Sequence, residues 1–189
     1  MIILSSTDIQ DVESTSNAYY VIMTLDKLNL VVPQTHIYGL EPTLDVAFSK
    51  ETSVGSIKVE TTTYPVYSLS DNLTLLDSVP IHRRICVLLH TSTPISGTDI
   101  QNFFLPPTID KTMDELPLNL FGLLCNQVIL AEWKNTATIF PLPACMQTPY
   151  NRLKGLMLEN NEILCITTAQ DLMNCCQTSP NLEQKFYEQ

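Results

Sequence analysis

Residues 54–70 read VGSIKVETTTYPVYSLS, and the organisation of the chain follows from how that stretch alternates. Ser56, Lys58, Glu60 and Thr62 alternate with Ile57, Val59 and Thr61, and β-branched or aromatic residues dominate, so a strand with two unlike faces is predicted. Gly55 opens it. Pro65 lacks a backbone donor and belongs at an edge, a bulge or a strand junction, with Val66, Tyr67 and Leu69 resuming the extended run beyond it. The pattern is strand, break, strand, the signature of an all-β chain.

Outward from that centre the same grammar repeats. Residues 18–25, AYYVIMTL, break at Asp26-Lys27 and resume over residues 28–32, an antiparallel pair on a tight connection. Residues 1–17 form a polar arm whose Ile2, Ile3 and Leu4 have the character of an added edge strand. Pro33 ends the opening pair, and residues 44–48 are too mixed to assign. Residues 73–76 read as a short helical turn. Residues 83–90, RRICVLLH, are a continuous apolar strand to be buried on both faces, with Arg83-Arg84 as its solvated entry. Residues 120–131, LFGLLCNQVILA, read as one further strand. Residues 137–140 continue the sheet, and residues 153–157 and 163–167 make a final hairpin. Thr168 caps a helix running through Cys176, followed by a tail over residues 177–189.

Between two of these strands, residues 91–118 carry prolines at 94, 106, 107 and 117. Lengthening a connection from about 4 to about 26 residues adds only roughly 1.7 kcal/mol of closure entropy, so a β fold tolerates the insertion. Long connections of this kind tend to carry function, and Phe103, Phe104 and Leu105 give this one a compact apolar patch.

Composition narrows the function. The 189 residues suit one domain, or two small subdomains sharing a core, and 44% hydrophobic content is enough to build it. Ten basic against twenty acidic residues give a formal charge of -10, spread through both halves, so a duplex-binding surface is excluded for want of a basic patch. No apolar run reaches the length of a membrane span, and the N-terminus has no basic region ahead of its apolar patch; a cytoplasmic protein is expected. Cys86, Cys125 and Cys165 lie inside apolar runs and read as buried thiols. With no Cys-x-x-Cys and no short His pairing among His36, His82 and His90, no metal site is expected.

The 54–70 stretch resembles the central motif of the CheW-like adaptor domain, which couples chemoreceptors to a CheA-type histidine kinase. That motif runs glycine, two or three residues, an Asn-Leu-Arg-Gly step, then Pro-Val and a hydrophobic-acidic-Leu ending. Gly55, Val59, Pro65, Val66 and Leu69 fall in register with it, while Glu60 stands at the Arg position and Thr61 at the Gly position. Residues 34–42, QTHIYGLEP, stand where the family has a Val-x-Glu-Ile turn whose acid pairs with that Arg: Ile37 takes the Val place, Gly39 the Glu place and Leu40 the Ile place. Both members of the pair are replaced. Losing one partner of a buried pair costs about 3–5 kcal/mol whereas losing both is close to neutral, so joint replacement is compensated drift. Gly122 and Gly155 match two further family glycines, and Asn126 replaces an Asp.

The resemblance implies two small five-stranded SH3-like β-barrels sharing a hydrophobic core, closed by a short C-terminal helix and covering residues 18–176. It implies a non-enzymatic adaptor, docking the regulatory domain of a CheA-type histidine kinase, a chemoreceptor cytoplasmic tip or both, in a flagellar or type IV pili system. Ile37, Gly39, Leu40, Gly55, Glu60, Thr61, Phe103 and Phe104 are the candidate partner-binding residues. A second reading keeps the fold, drops kinase coupling, and gives the 91–118 loop to self-association or another protein.

The residues themselves offer no competing chemistry. Five glycines at 39, 55, 97, 122 and 155 never cluster into a phosphate cradle, no Gly-x-Ser-x-Gly surrounds Ser56, and no nucleophile, base and orienter set is legible. Neither catalytic residues nor a cofactor are expected.

Overall fold

The computed structural model describes residues 19–48, 54–91, 119–133, 137–147 and 151–177. The proposed N-terminal arm, Phe103, Phe104 and nearly all of the 91–118 insertion lie outside these residues, as does the tail beyond Gln177.

The described chain is mostly strand, arranged as two six-stranded curled sheets with one short helix at its C-terminal end. One sheet holds β1 (Tyr19–Leu25), β2 (Leu28–Pro33), β9 (Gln127–Glu132), β10 (Thr138–Phe140), β11 (Gly155–Glu159) and β12 (Glu162–Ile166), in the order β10-β11-β12-β2-β1-β9. The other holds β3 (Ile37–Pro42), β4 (Ala47–Phe48), β5 (Gly55–Val59), β6 (Thr62–Tyr67), β7 (Ile85–His90) and β8 (Leu120–Cys125), in the order β3-β7-β8-β6-β5-β4. Six strands per sheet stand where five were expected, the short β4 and β10 completing the count. In the second sheet β3 and β4 occupy opposite ends yet follow one another in the chain. Only the 3-10 turn Thr43–Asp45 and Val46 separate them, so the backbone itself rolls the sheet towards a barrel.

Each sheet is organised by an equivalent hairpin. Residues 55–59 run buried, half-buried, buried, exposed, half-buried, and so do residues 155–159. Residues 62–66 and 162–166 share a second pattern: exposed, exposed, buried, half-buried, buried. β6 then pairs in parallel with β8 through Val66–Gly122, and β12 pairs in parallel with β2 through Ile166–Val31. The chain is therefore two copies of a six-strand unit, β1–β6 and β7–β12. Each copy gives its first two strands to one sheet and its last four to the other.

That exchange creates the shared core. β1, β2, β7 and β8 are buried on both faces, as the unbroken apolar run of residues 85–89 required. Val21, Met23, Leu30, Val32, Val87, Leu89, Phe121 and Leu123 meet between the sheets. The opposite faces fill the two barrels: Tyr20 and Val31 pack with Met157, Leu164 and Ile166 in one, and Cys86, Leu88 and Leu124 pack with Ile57, Tyr64 and Val66 in the other. Each such side chain contributes about 1.5–3 kcal/mol by leaving water. Gly122 is required where the barrels are tightest, since a Cβ there would stand 2.7 Å from Cys86 Sγ and 2.8 Å from a Val66 methyl.

Several expectations from the sequence are corrected. The break in residues 54–70 is not at Pro65 but at Glu60-Thr61, the two-residue turn between β5 and β6, with Glu60 at φ 54. Pro65 sits inside β6, opposite Ser56 and one residue before the parallel pairing with β8 begins, where its missing donor is tolerated. Residues 73–76 form no helical turn: Leu73 has φ 59, and Leu75 bridges to Leu69. Residues 120–131 are two strands, divided at Asn126. Arg83 is not a solvated entry but is 2% exposed.

The C-terminal helix, α1 (Ala169–Gln177), begins as the sequence predicted. Thr168 Oγ1 accepts the Asp171 backbone N–H at 3.0 Å and donates to Asp171 Oδ2 at 2.6 Å, leaving one face, Ala169, Leu172, Cys175 and Cys176, to close the shared core.

Candidate functional site

The sequence-derived candidates fall on one sheet but not in one place. Ile37, Gly39 and Leu40 lie on β3, where the register with β7 shifts between Ile37 and Gly39. Ile37 packs partly against the shared core; Leu40 is 53% exposed. Glu60 and Thr61 are exposed at the tip of the β5–β6 hairpin, and β7 and β8 stand between that hairpin and β3 in the sheet. Gly55 is buried at the foot of that hairpin beside β4, where a Cβ would stand 2.7 Å from the Phe48 ring and 2.8 Å from Val46. It serves close packing. Phe103 and Phe104 are outside the described residues.

The electrostatic centre is elsewhere, at the junction of the two sheets. Asp26 is the first residue of the β1–β2 turn, at φ 55, and its carboxylate reaches the segment entering β7. Arg83 donates from Nη2 to Asp26 Oδ2 at 2.9 Å and to the Leu69 carbonyl at 2.8 Å, and from Nη1 to the Leu124 carbonyl at 2.9 Å. His82 Nε2 stands 2.6 Å from Asp26 Oδ1. These two neighbours, His82 foremost, hold the Asp26 carboxyl below its ordinary range. Asn126 completes the joint: its Oδ1 accepts the Asp26 N–H at 3.3 Å, and its own N–H donates to the Thr24 carbonyl at 2.9 Å. A buried cation is thus held by two carbonyls and one carboxylate, joining the turn of one sheet to the strand ends of the other.

A second polar contact lies at the head of α1. His36, 4% exposed, accepts the Ala169 backbone N–H on Nδ1 at 3.3 Å, and its ring meets His90 edge-on at a centroid distance of 6.4 Å. Burial pushes its pKa down to about 4, with His90 adding to the fall and Asp171 opposing it. Elsewhere, the Tyr20 hydroxyl donates to Glu159, and burial pushes that hydroxyl up. Burial also raises the Cys86 thiol to about 12 and the Cys125 and Cys176 thiols further, so these three are protonated at neutral pH and pack as small apolar groups.

Several large apolar side chains are exposed as well. Leu44 is 96% and Ile81 99% exposed, and both lie at the end of the second sheet next to the Arg83 joint. The Thr43 N–H donates to the Arg84 carbonyl at 3.0 Å and the Arg83 N–H to the Pro80 carbonyl at 3.0 Å, so one short bond network carries both side chains. Sequence reasoning missed this pair because each sits alone in a polar turn. It also missed the Arg83–Asp26 pair; an Arg directly before a strand buried on both faces was the available signal.

No family model matches the sequence, and no curated protein does. Among solved structures the chain is similar to the scaffolding protein CheW from Thermoanaerobacter tengcongensis, at 11% identity and a TM-score of 0.57, over 87% of this chain and 93% of that one. The fold is CheW-like. At that identity the likeness lies in the two joined barrels. The CheW-like frame is kept here around an ion pair between buried Arg83 and the partly exposed Asp26, which does not involve Gly39 or Glu60.

Proposed function

We propose that this chain is a non-enzymatic adaptor of a chemosensory-type signalling system, docking the regulatory domain of a CheA-type histidine kinase through the Leu44–Ile81 end of its second barrel. One observation carries the reading: two large aliphatic side chains, at 96% and 99% exposure, stand almost wholly in water at the end of the second sheet where Arg83 meets Asp26. Isolated apolar residues on a surface are ordinary; two on turns joined by the Thr43–Arg84 bond, with Leu40 at 53% on β3, are candidates for the anchor of a contact. The CheW-like fold supports the choice of partner. A chemoreceptor tip is the second partner of this reading, with Ile37, Gly39 and Leu40 of β3 as its contact.

Size-exclusion chromatography of the purified chain mixed with a kinase regulatory domain tests it. Co-elution is expected, and Leu44→Asp with Ile81→Asp should abolish it while leaving the circular dichroism spectrum unchanged. Absence of a complex with the unaltered chain, or a complex indifferent to both substitutions, would overturn the assignment.

A further inference from the structure

The edges of the two sheets are defended unequally. A strand edge presents unpaired N–H and C=O groups, and folded chains ordinarily blunt it with shortness, a bulge, proline or charge. β4 has two residues and β10 three, the latter followed at once by Pro141. β3 has a register shift between Ile37 and Gly39, carries Glu41 and ends in Pro42. β9 has none of these devices between Gln127 and Ala131. It pairs with β1 along all six residues, from Tyr19–Glu132 to Thr24–Gln127, and among the described residues no strand pairs with its other edge. Ile129 is 43% and Leu130 59% exposed, on opposite faces of that strand.

We propose that β9 is a homotypic interface: two copies of the chain pair β9 to β9, antiparallel about a twofold axis normal to the sheet. The sequence is self-complementary in that arrangement. A twofold normal to the sheet places residues on the same face opposite one another only in registers centred on a residue. Centred on Ile129, the register sets Val128 against Leu130, Gln127 against Ala131, and Glu132 against Asn126. Centred on Leu130, it sets Ile129 against Ala131 and Glu132 against Val128. Glu132 meets no like charge in either. This matters because the chain carries a formal charge of -10 and two copies repel one another at most approaches. Residues 126–131 are an uncharged run at which backbones can meet, with main-chain hydrogen bonds for affinity and Ile129 and Leu130 for specificity. One strand pair is a small contact, so the dimer forms and dissociates with concentration and strengthens as salt screens the repulsion.

Sedimentation velocity of the full chain over a concentration series, at low and high salt, with amide hydrogen exchange read on residues 127–132, tests this. A monomer–dimer equilibrium is expected, favoured by salt, with protection rising as the dimer forms at the alternate β9 amides that face away from β1, the ones read for the test. Leu130→Lys and Ile129→Lys should each abolish the dimer without altering the circular dichroism spectrum, and Ile163→Lys, an exposed position on β12, should leave it intact. A monomer at every concentration would overturn the proposal. So would a dimer indifferent to both β9 substitutions, or amides protected equally at all dilutions, which would mean that another part of the same chain covers the edge.

Discussion

Replacing Arg83 with Met keeps the aliphatic stem and removes the guanidinium, and its cost can be worked from the bonds that disappear. Two carbonyls, of Leu69 and Leu124, lose their donors at 2.8 and 2.9 Å in a site that is 2% exposed. Each orphaned buried group costs about 1–3 kcal/mol. The Asp26 carboxylate also loses one of its two partners, but it keeps His82 and its side chain is 31% exposed, so the pair adds only about 1 kcal/mol. Loss of a buried guanidinium returns some desolvation energy. The net expectation is about 3–5 kcal/mol for Arg83→Met, most of it from the two orphaned carbonyls.

Asp26→Asn isolates the remaining part. Asn tolerates the left-handed backbone at φ 55 and keeps an oxygen acceptor for Arg83, so only the charge is lost. The expected cost is about 1–2 kcal/mol. Urea denaturation followed by the fluorescence of the single tryptophan, Trp133, measures both. If Arg83→Met proved neutral, or if Asp26→Asn cost as much as Arg83→Met, the carbonyl bonds would not be the larger part of what Arg83 contributes and the account of the joint would be wrong.

Acid should destabilise the chain through His36. Its folded pKa is about 4 against 6.5 in the unfolded chain, so the unfolded state binds the extra proton first; stability is full above pH 6.5 and falls by roughly 3 kcal/mol as pH drops to 4. The groups bearing on that ring are His90, Asp171 and the Ala169 N–H. His36→Asn removes the titration, and urea midpoints measured across that window should become flatter by that amount. The two glycines Gly122 and Gly39 should behave oppositely: Gly122→Ala meets Cys86 and Val66 at under 3 Å and should cost about 1–3 kcal/mol, whereas Gly39→Ala finds its nearest neighbour, a Leu88 methyl, at 3.9 Å and should stay within about 0.5 kcal/mol in the same denaturation assay.

The strands with two buried faces were readable because an unbroken run such as Ile85 to Leu89 has one consistent explanation. The hairpin turns at Asp26-Lys27 and Asn160-Asn161 were readable from their polar pairs between apolar strands. Glu60-Thr61 was not, because Glu is an uncommon residue at positive φ and the alternation runs through it unchanged, while Pro65 supplied a stronger but false punctuation. The site was harder still. Ile37, Gly39, Leu40, Glu60 and Thr61 were chosen by register with a motif, and register fixes a position along a strand but not which other strand stands beside it; two strands separate the two groups. Arg83 was hidden because a pair of arginines at a strand entry looks like a solvated end. Its partners, the carbonyls of Leu69 and Leu124 and the carboxylate of Asp26, come from three distant segments.

The exchange of strands between the two halves explains why the joint lies where it does. Each six-strand unit lends two strands to the other's sheet, so the turn of one lent pair must pass the entry of the other, and that crossing brings Asp26 of β1–β2 to the residues just before β7. The carbonyls of Leu69 and Leu124 lie buried at this crossing, and buried carbonyls need donors. A long cation with several donors is the one side chain that satisfies two carbonyls and a turn carboxylate together, and Arg83 does so. The same crossing fixes the turn that carries Ile81 and, through the Thr43–Arg84 bond, the one that carries Leu44. A rigid apolar corner therefore follows from how the halves are interlocked. The mutation that loosens the interlock, Arg83→Met, should weaken partner docking even in the fraction of molecules that remains folded.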